Sequence, residues 1–202
     1  TYGLHLRFLR CLNACYDKIL IIDDDIIPTK ISLDKIFSFD CNNIVGYYAR
    51  ELPYQIANQR QMVPIILTKF MLINKSLAKA YIDVISVDSK IKHILKYGKP
   101  WGNGEDILIS ALSMFLHNKQ NTYIQTNLTD TGIHCQDAVS VRSGEQHYDY
   151  RKMLCRFLFR NNHRLSNESI SIFTNILFKS RLECYLGSNY AKEKITISFK
   201  SK

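Results

Sequence analysis

Lys18-Ile-Leu-Ile-Ile22 runs straight into Asp23-Asp24-Asp25. A short, continuous, β-branched run reads as a strand buried on both faces, the kind found inside a parallel sheet. Open sheets of that kind gather ligands at the carboxyl ends of their strands, and here that end carries three carboxylates. Alternation sends Asp23 and Asp25 to one side and Asp24 to the other. Three anions this close repel, so they need a cation or strong hydrogen bonds. Oxygen ligands favour a hard ion, Mn²⁺ or Mg²⁺, which commonly bridges protein carboxylate to substrate phosphate. A solvated acidic loop capping the next helix is the other reading of the same residues.

The rest of the chain supplies the elements such a sheet needs. Residues 4–15 read as a helix, with Leu4, Leu6, Phe8, Leu9 and Leu12 set among Arg7, Arg10 and Asn13. Ser32 is the expected cap of a short helix through Phe37. Residues 43–50 read as a second buried strand, 51–62 as loop, and 63–73 as strand interrupted by Pro64. Helices are expected from Ser76, from Asp88 and over 107–116, a strand at 123–126, loop over 126–146 and helix over 147–159. Strands alternating with helices predict one α/β domain with a largely parallel sheet. No internal repeat or dividing linker is visible.

Charge narrows the partners. Lys and Arg number 27 against 18 acids, a net +9 that suits an anionic ligand or surface. The excess is concentrated after Arg151, where the acids are Glu168, Glu183 and Glu193. These late cations are interleaved with Ile, Leu and Phe rather than arranged as a strand-tracking run with spaced aromatics, which argues against nucleic acid. The same pattern over 156–202 suits a basic, mainly helical extension, with peripheral contact to an anionic membrane as one expectation. No stretch is long and apolar enough to span a bilayer. Six cysteines show no CxxC or zinc-finger spacing and read as reduced, buried thiols. The chain starts at Thr1 without an initiator methionine, so it is expected to be an internal piece of a longer protein.

Two further clusters carry chemistry. In Trp101-Gly-Asn-Gly-Glu-Asp106 the glycines let backbone approach a ligand, and Glu105 and Asp106 sit where a helix dipole favours acids. An aromatic-glycine loop ahead of paired acids suits a sugar, which Trp101 would stack on and the carboxylates would bond. Simple N-terminal helix acids are the alternative. In His147-Tyr-Asp-Tyr-Arg151, one helical turn puts His147 and Arg151 on one face, where they would meet a phosphate together. A surface pair is the commoner arrangement. His134 and Cys135 read as structural rather than as metal ligands.

Taken in order, the strand into Asp23-Asp24-Asp25, Ile44-Val-Gly-Tyr-Tyr-Ala-Arg50, Ile66-Leu-Thr68, Gly104-Glu-Asp-Ile107 and His147-x-x-x-Arg151 resemble the exostosin-type glycosyltransferase domain over residues 5–155. Leu4-x-x-Arg7-Phe8 resembles the family helix whose arginine faces the nucleotide. The resemblance implies a GT-A-like nucleotide-sugar-binding sheet flanked by helices, with its first strand or strands and uridine loop preceding Thr1. It implies a UDP-sugar donor, manganese, a glycan or lipid-linked acceptor, and transfer with retention, commonly of N-acetylhexosamines. Asp25 would be the principal metal ligand, with Asp23 near the metal and the ribose or sugar. Asp106 would stand at the anomeric carbon, Glu105 on donor hydroxyls and Arg151 against the diphosphate. Arg7, Asp24, Arg50, Thr68, Trp101 and His147 would complete the substrate site.

The chain differs from the family at several places. Tyr2 stands for an asparagine, and Lys69 and Phe70 stand where the family has small residues beside the donor sugar. Gly104 replaces the family cysteine, with Cys155 one residue off its partner position, so that disulfide is expected to be missing, as in the reducing cytoplasm. Three alternatives stay open at this point. They are an inverting transferase with Asp106 as general base, a nucleic-acid-binding or metal-nuclease domain, and a catalytically inactive transferase fold used for binding.

Overall fold

The computed structural model describes residues 3–40, 42–57, 60–87, 89–95, 104–125, 144–160 and 164–165. A 3₁₀ turn at Gly3–His5 enters α1 (Leu6–Cys11), followed by β1 (Lys18–Ile22), α2 (Lys30–Phe37), β2 (Val45–Gly46) and β3 (Ala49–Glu51). Next come β4 (Gln55–Ile56), β5 (Met62–Val63), β6 (Ile65–Ile66) and β7 (Phe70–Asn74). Then follow α3 (Lys75–Val87), α4 (Ser89–Ile94), α5 (Glu105–His117), β8 (Asn121–Tyr123), α6 (Gly144–Leu158), β9 (Phe159–Arg160) and β10 (Arg164–Leu165).

The main sheet has the order β1-β7-β2-β8-β5, and β3 joins β4 and β6 in a second sheet. The fold is α/β with a mixed sheet flanked by helices, which corrects the expectation of a largely parallel one. Among the described residues only β2 and β8 pair in parallel; β1 with β7, β7 with β2, and β5 with β8 are antiparallel. The crossover through α2 makes β1 and β2 run the same way, and β7 returns between them in the opposite direction. A hydrophobic run reports burial and does not fix strand direction, which is why the parallel reading of β1 failed.

β7 is the strand buried on both faces: Phe70, Met71, Leu72 and Ile73 are fully buried. Its alternation divides the core. Phe70 and Leu72 pack with Ile26, Ile36, Val45, Tyr47 and Ile124 beneath α2. Met71 and Ile73 join the larger core with Phe8, Tyr81, Leu108 and Leu112. β1, expected to be such a strand, lies at the end of the sheet among the described residues and buries only Ile21. The strand expected over 43–50 breaks into β2 and β3. A Cβ at Gly46 would stand 2.3 Å from Ile66 Cγ2 and 2.7 Å from the Phe70 carbonyl, so only glycine lets these backbones approach.

Several local expectations shift. Thr29, not Ser32, caps α2: its hydroxyl accepts the Ser32 N–H at 3.1 Å. Asn74 Oδ1 accepts the Leu77 N–H at 2.7 Å, ahead of Ser76 at the start of α3. The expected loop over 51–62 contains β4 and the start of β5, and the strand expected at 123–126 begins at Asn121. Cys11 and Cys155 are buried free thiols, whereas Cys15 is an exposed one. No helix among the described residues is long and apolar enough to cross a membrane. Most of the 126–146 loop and of the 156–202 extension lies outside the described residues.

Candidate active site

At the end of β1 the ladder with β7 continues one bond further, Asp23 N–H donating to the Lys69 carbonyl at 2.9 Å. The Asp23 carbonyl then accepts the Ile26 N–H at 3.2 Å, closing a turn that contains all three aspartates. Asp23 and Asp25 are half-buried and Asp24 is exposed, so Asp24 stands apart from the other two as expected. Each half-buried carboxylate meets a cation of the chain. Arg7, on α1, donates to Asp23 Oδ1 at 3.0 Å, and Lys69 Nζ lies 3.1 Å from Asp25 Oδ2. Lys69 also reaches over the Tyr48 ring, 5.2 Å from its centroid.

The second cluster is built at the start of α5. Gly104 holds φ +95°, a left-handed geometry that only glycine adopts cheaply, and a Cβ there would meet Leu154 Cδ2 at 2.3 Å. This turn starts a helix whose residues 105–113 are all buried. Ser110 fixes it by accepting the Ile66 N–H at 3.1 Å, and Ser113 by accepting the Ile44 N–H at 3.2 Å. Glu105 and Asp106 are therefore carried inside, each about 3% exposed. Asp106 Oδ1 accepts the Ile107 N–H at 2.8 Å, and Oδ2 accepts from Arg151 of α6. Glu105 Oε1 accepts the Thr68 hydroxyl at 3.2 Å. Its Oε2 is buried with no hydrogen-bond partner among the described residues.

Burial raises the Asp106 carboxyl above its ordinary range, with Arg151 pulling it back and Glu105 adding to the rise. Arg151 in turn is held charged by Asp106, against its own desolvation. Nearby, burial pushes Tyr150 up to about 12, and the Cys155 thiol likewise to about 12.

Thr68 and Lys69 join the two clusters, one residue reaching Glu105 and the next reaching Asp25. The structure thus brings Arg7, Asp23, Asp25, Thr68, Glu105, Asp106 and Arg151 onto one connected set of contacts. Arg50 stands apart from the aspartates: its guanidinium donates to the Ala49 carbonyl at 2.9 Å and faces Tyr54 at 5.8 Å. Arg151 lies 4.5 Å from the same ring, so Tyr54 presents its π-face to two cations. Tyr54 is buried, has φ 95°, and its phenol is pushed well above its usual range by desolvation. The sequence reading missed it, since a positive-φ tyrosine inside a polar loop leaves no periodic signal. Trp101, His134 and Cys135 lie outside the described residues, as does the side chain of His147, whose backbone is in the first turn of α6.

The donor set does not fit a divalent cation as it is arranged. Among the described residues no three His, Cys, Asp or Glu side chains converge. Asp25, the principal expected ligand, already holds the Lys69 ammonium. A divalent ion on the same carboxylate would have to displace that ammonium or be repelled by it.

Comparison with known proteins bears on the chain as a whole. The family model described as Glycosyl transferase family 64 domain matches residues 3–178. A search of curated proteins returns no match.

Proposed function

The chain belongs to glycosyl transferase family 64, and from that premise we propose that it moves a sugar from a UDP-sugar to a hydroxyl of a glycan or lipid-linked acceptor. The observation that carries the reading is the link through Thr68 and Lys69 between the aspartate turn and the buried Glu105-Asp106 pair. In this reading the link holds the groups that would meet the diphosphate next to those that would meet the sugar. The exostosin-type, GT-A-class resemblance stays part of this reading, although Gly104 and Cys155 depart from that family's cysteine pair.

Each residue has a task in this reading. Glu105 Oε2, a buried acceptor, takes a hydroxyl hydrogen bond from the donor sugar, an N-acetylhexosamine in the closest reading of the resemblance. Asp106 is a fixed negative charge that offsets the positive charge growing at the anomeric carbon. Arg151 fixes Asp106 and balances the diphosphate. Both Asp106 oxygens are engaged, by the Ile107 N–H and by Arg151, which suits a fixed charge better than a base taking the acceptor proton. That favours retention over inversion. The acceptor oxygen then bonds to the anomeric carbon as the bond to the diphosphate oxygen breaks. UDP leaves with the electron pair, and its departing phosphate oxygen takes the acceptor proton. Manganese or magnesium does not enter this reading, because Asp25 is held by Lys69.

The test is donor turnover, read as UDP release from a panel of UDP-sugars with the anomeric configuration of any product. Asp106→Asn should keep donor binding and lose about 10²-fold or more in turnover. Normal turnover in that variant would remove Asp106 from the chemistry and leave it a helix acid.

A further inference from the structure

We propose that Lys69 occupies the role of a divalent cation at the aspartate turn, so that this chain binds the diphosphate of a nucleoside diphosphate without a metal ion. The proposal rests on the nucleotide-sugar reading of the same site. Both carboxylates that a metal would use are engaged by cations of the chain, Asp23 by Arg7 at 3.0 Å and Asp25 by Lys69 at 3.1 Å.

The position of Lys69 is fixed by the fold. Ile22 pairs with Phe70 in the β1–β7 ladder, and the next bond, Asp23 N–H to Lys69 O, holds the lysine backbone against the turn. Phe70, the following residue, is fully buried, so the strand that carries Lys69 is anchored in the core. The Tyr48 ring beneath the ammonium and a side chain only 19% exposed keep the long stem packed. Fixing the stem in advance lowers the entropy lost when a ligand binds. An ammonium carries three donors and binds phosphate as a point charge. It can therefore hold Asp25 and a phosphate oxygen together, with Arg7 beside it on Asp23. Lys69 then neutralises charge on the leaving diphosphate, the service that a metal ion supplies in other transferases. Its neighbour Thr68 keeps this cation in register with Glu105.

The test is calorimetry of UDP binding to the full chain in EDTA and in manganese, with Mn²⁺ alone titrated separately. The wild-type protein should bind UDP in EDTA within about threefold of its affinity in manganese. Lys69→Ala should weaken binding in EDTA by about tenfold or more and recover part of it when manganese is added, since Asp25 is then released. Lys69→Arg should keep metal-independent binding. Asp25→Asn should weaken UDP binding by the same factor in EDTA and in manganese, whereas loss of a metal ligand would abolish only a manganese-dependent part. Wild-type binding that needs manganese, is unchanged by Lys69→Ala and is lost in Asp25→Asn would overturn the proposal and leave the transferase reading intact. No UDP binding in either buffer would overturn both. If Lys69→Ala does not fold, the wild-type comparison and Asp25→Asn decide the question.

Discussion

The aspartate turn and the acid pair at the start of α5 have the same chemistry, carboxylates each held by a basic side chain, in opposite surroundings. At the turn, Arg7, Asp23, Lys69 and Asp25 are all partly open to water, between 19% and 34% exposed. At the helix start, Asp106 and Arg151 are each about 5% exposed, beneath Tyr54 and next to the equally buried Glu105. Water screens the first set, so its pairs can open to exchange one partner for a ligand at little cost. The second set has no solvent to fall back on, so its members stay charged only while they hold one another. In the proposed function the same residue types would serve as a replaceable grip on a diphosphate and a fixed charge beside the reacting sugar.

The comparison breaks most visibly in stability. Arg151→Ala leaves Asp106 buried without its cation and should cost about 3–5 kcal/mol in urea unfolding. Arg7→Ala should cost about 0–1 kcal/mol. Equal costs would mean that burial does not separate the two clusters.

An intermediate effect comes from the anchor that carries Arg7. His5, two residues earlier, is buried against the Tyr81 hydroxyl, and burial lowers its pKa from 6.5 to about 4. Above pH 6.5 the ring is neutral in the folded and unfolded chain alike. Below it the unfolded chain takes up a proton that the folded ring refuses, so stability falls between pH 6.5 and about 4. The loss should approach about 3 kcal/mol, or roughly 6–12 °C in Tm. Melts of wild type and His5→Asn across that range check it: the variant should lack this His-linked part of the fall. Identical pH profiles would show that His5 is not the group responsible.

The smallest stability change is the one with a functional readout. Asp23→Asn removes the partner of a partly exposed arginine and should alter stability by less than about 1 kcal/mol. Its effect should instead appear in calorimetry as weaker UDP binding, because Arg7 is no longer aimed. A large loss of stability with unchanged UDP binding would place Asp23 in the structural group with Asp106.

The acid pair was legible in the sequence because Gly104-Glu105-Asp106 heads an apolar helical run, and both the dipole and the glycine turn speak through local pattern. The triplet after β1 was legible as a cluster, and its alternation set Asp24 apart from Asp23 and Asp25. What the sequence could not convey was pairing across elements. Lys69 was visible only as an unusual residue after Thr68, since its contact with Asp25 depends on β7 returning antiparallel beside β1. Tyr54 was silent for a related reason: its role comes from two guanidiniums arriving from β3 and α6, separated widely along the chain.

Whether the two clusters divide the work as described is tested most directly at Glu105, whose Oε2 is buried without a partner among the described residues. Replacing it by glutamine keeps the shape and an oxygen for Thr68 while removing the charge that a sugar hydroxyl would meet. UDP affinity and UDP-sugar turnover should be measured on the same Glu105→Gln preparation. The account predicts UDP affinity within about twofold of wild type and turnover lower by about 10²-fold. Unchanged turnover, or a joint loss of UDP binding and turnover, would contradict it.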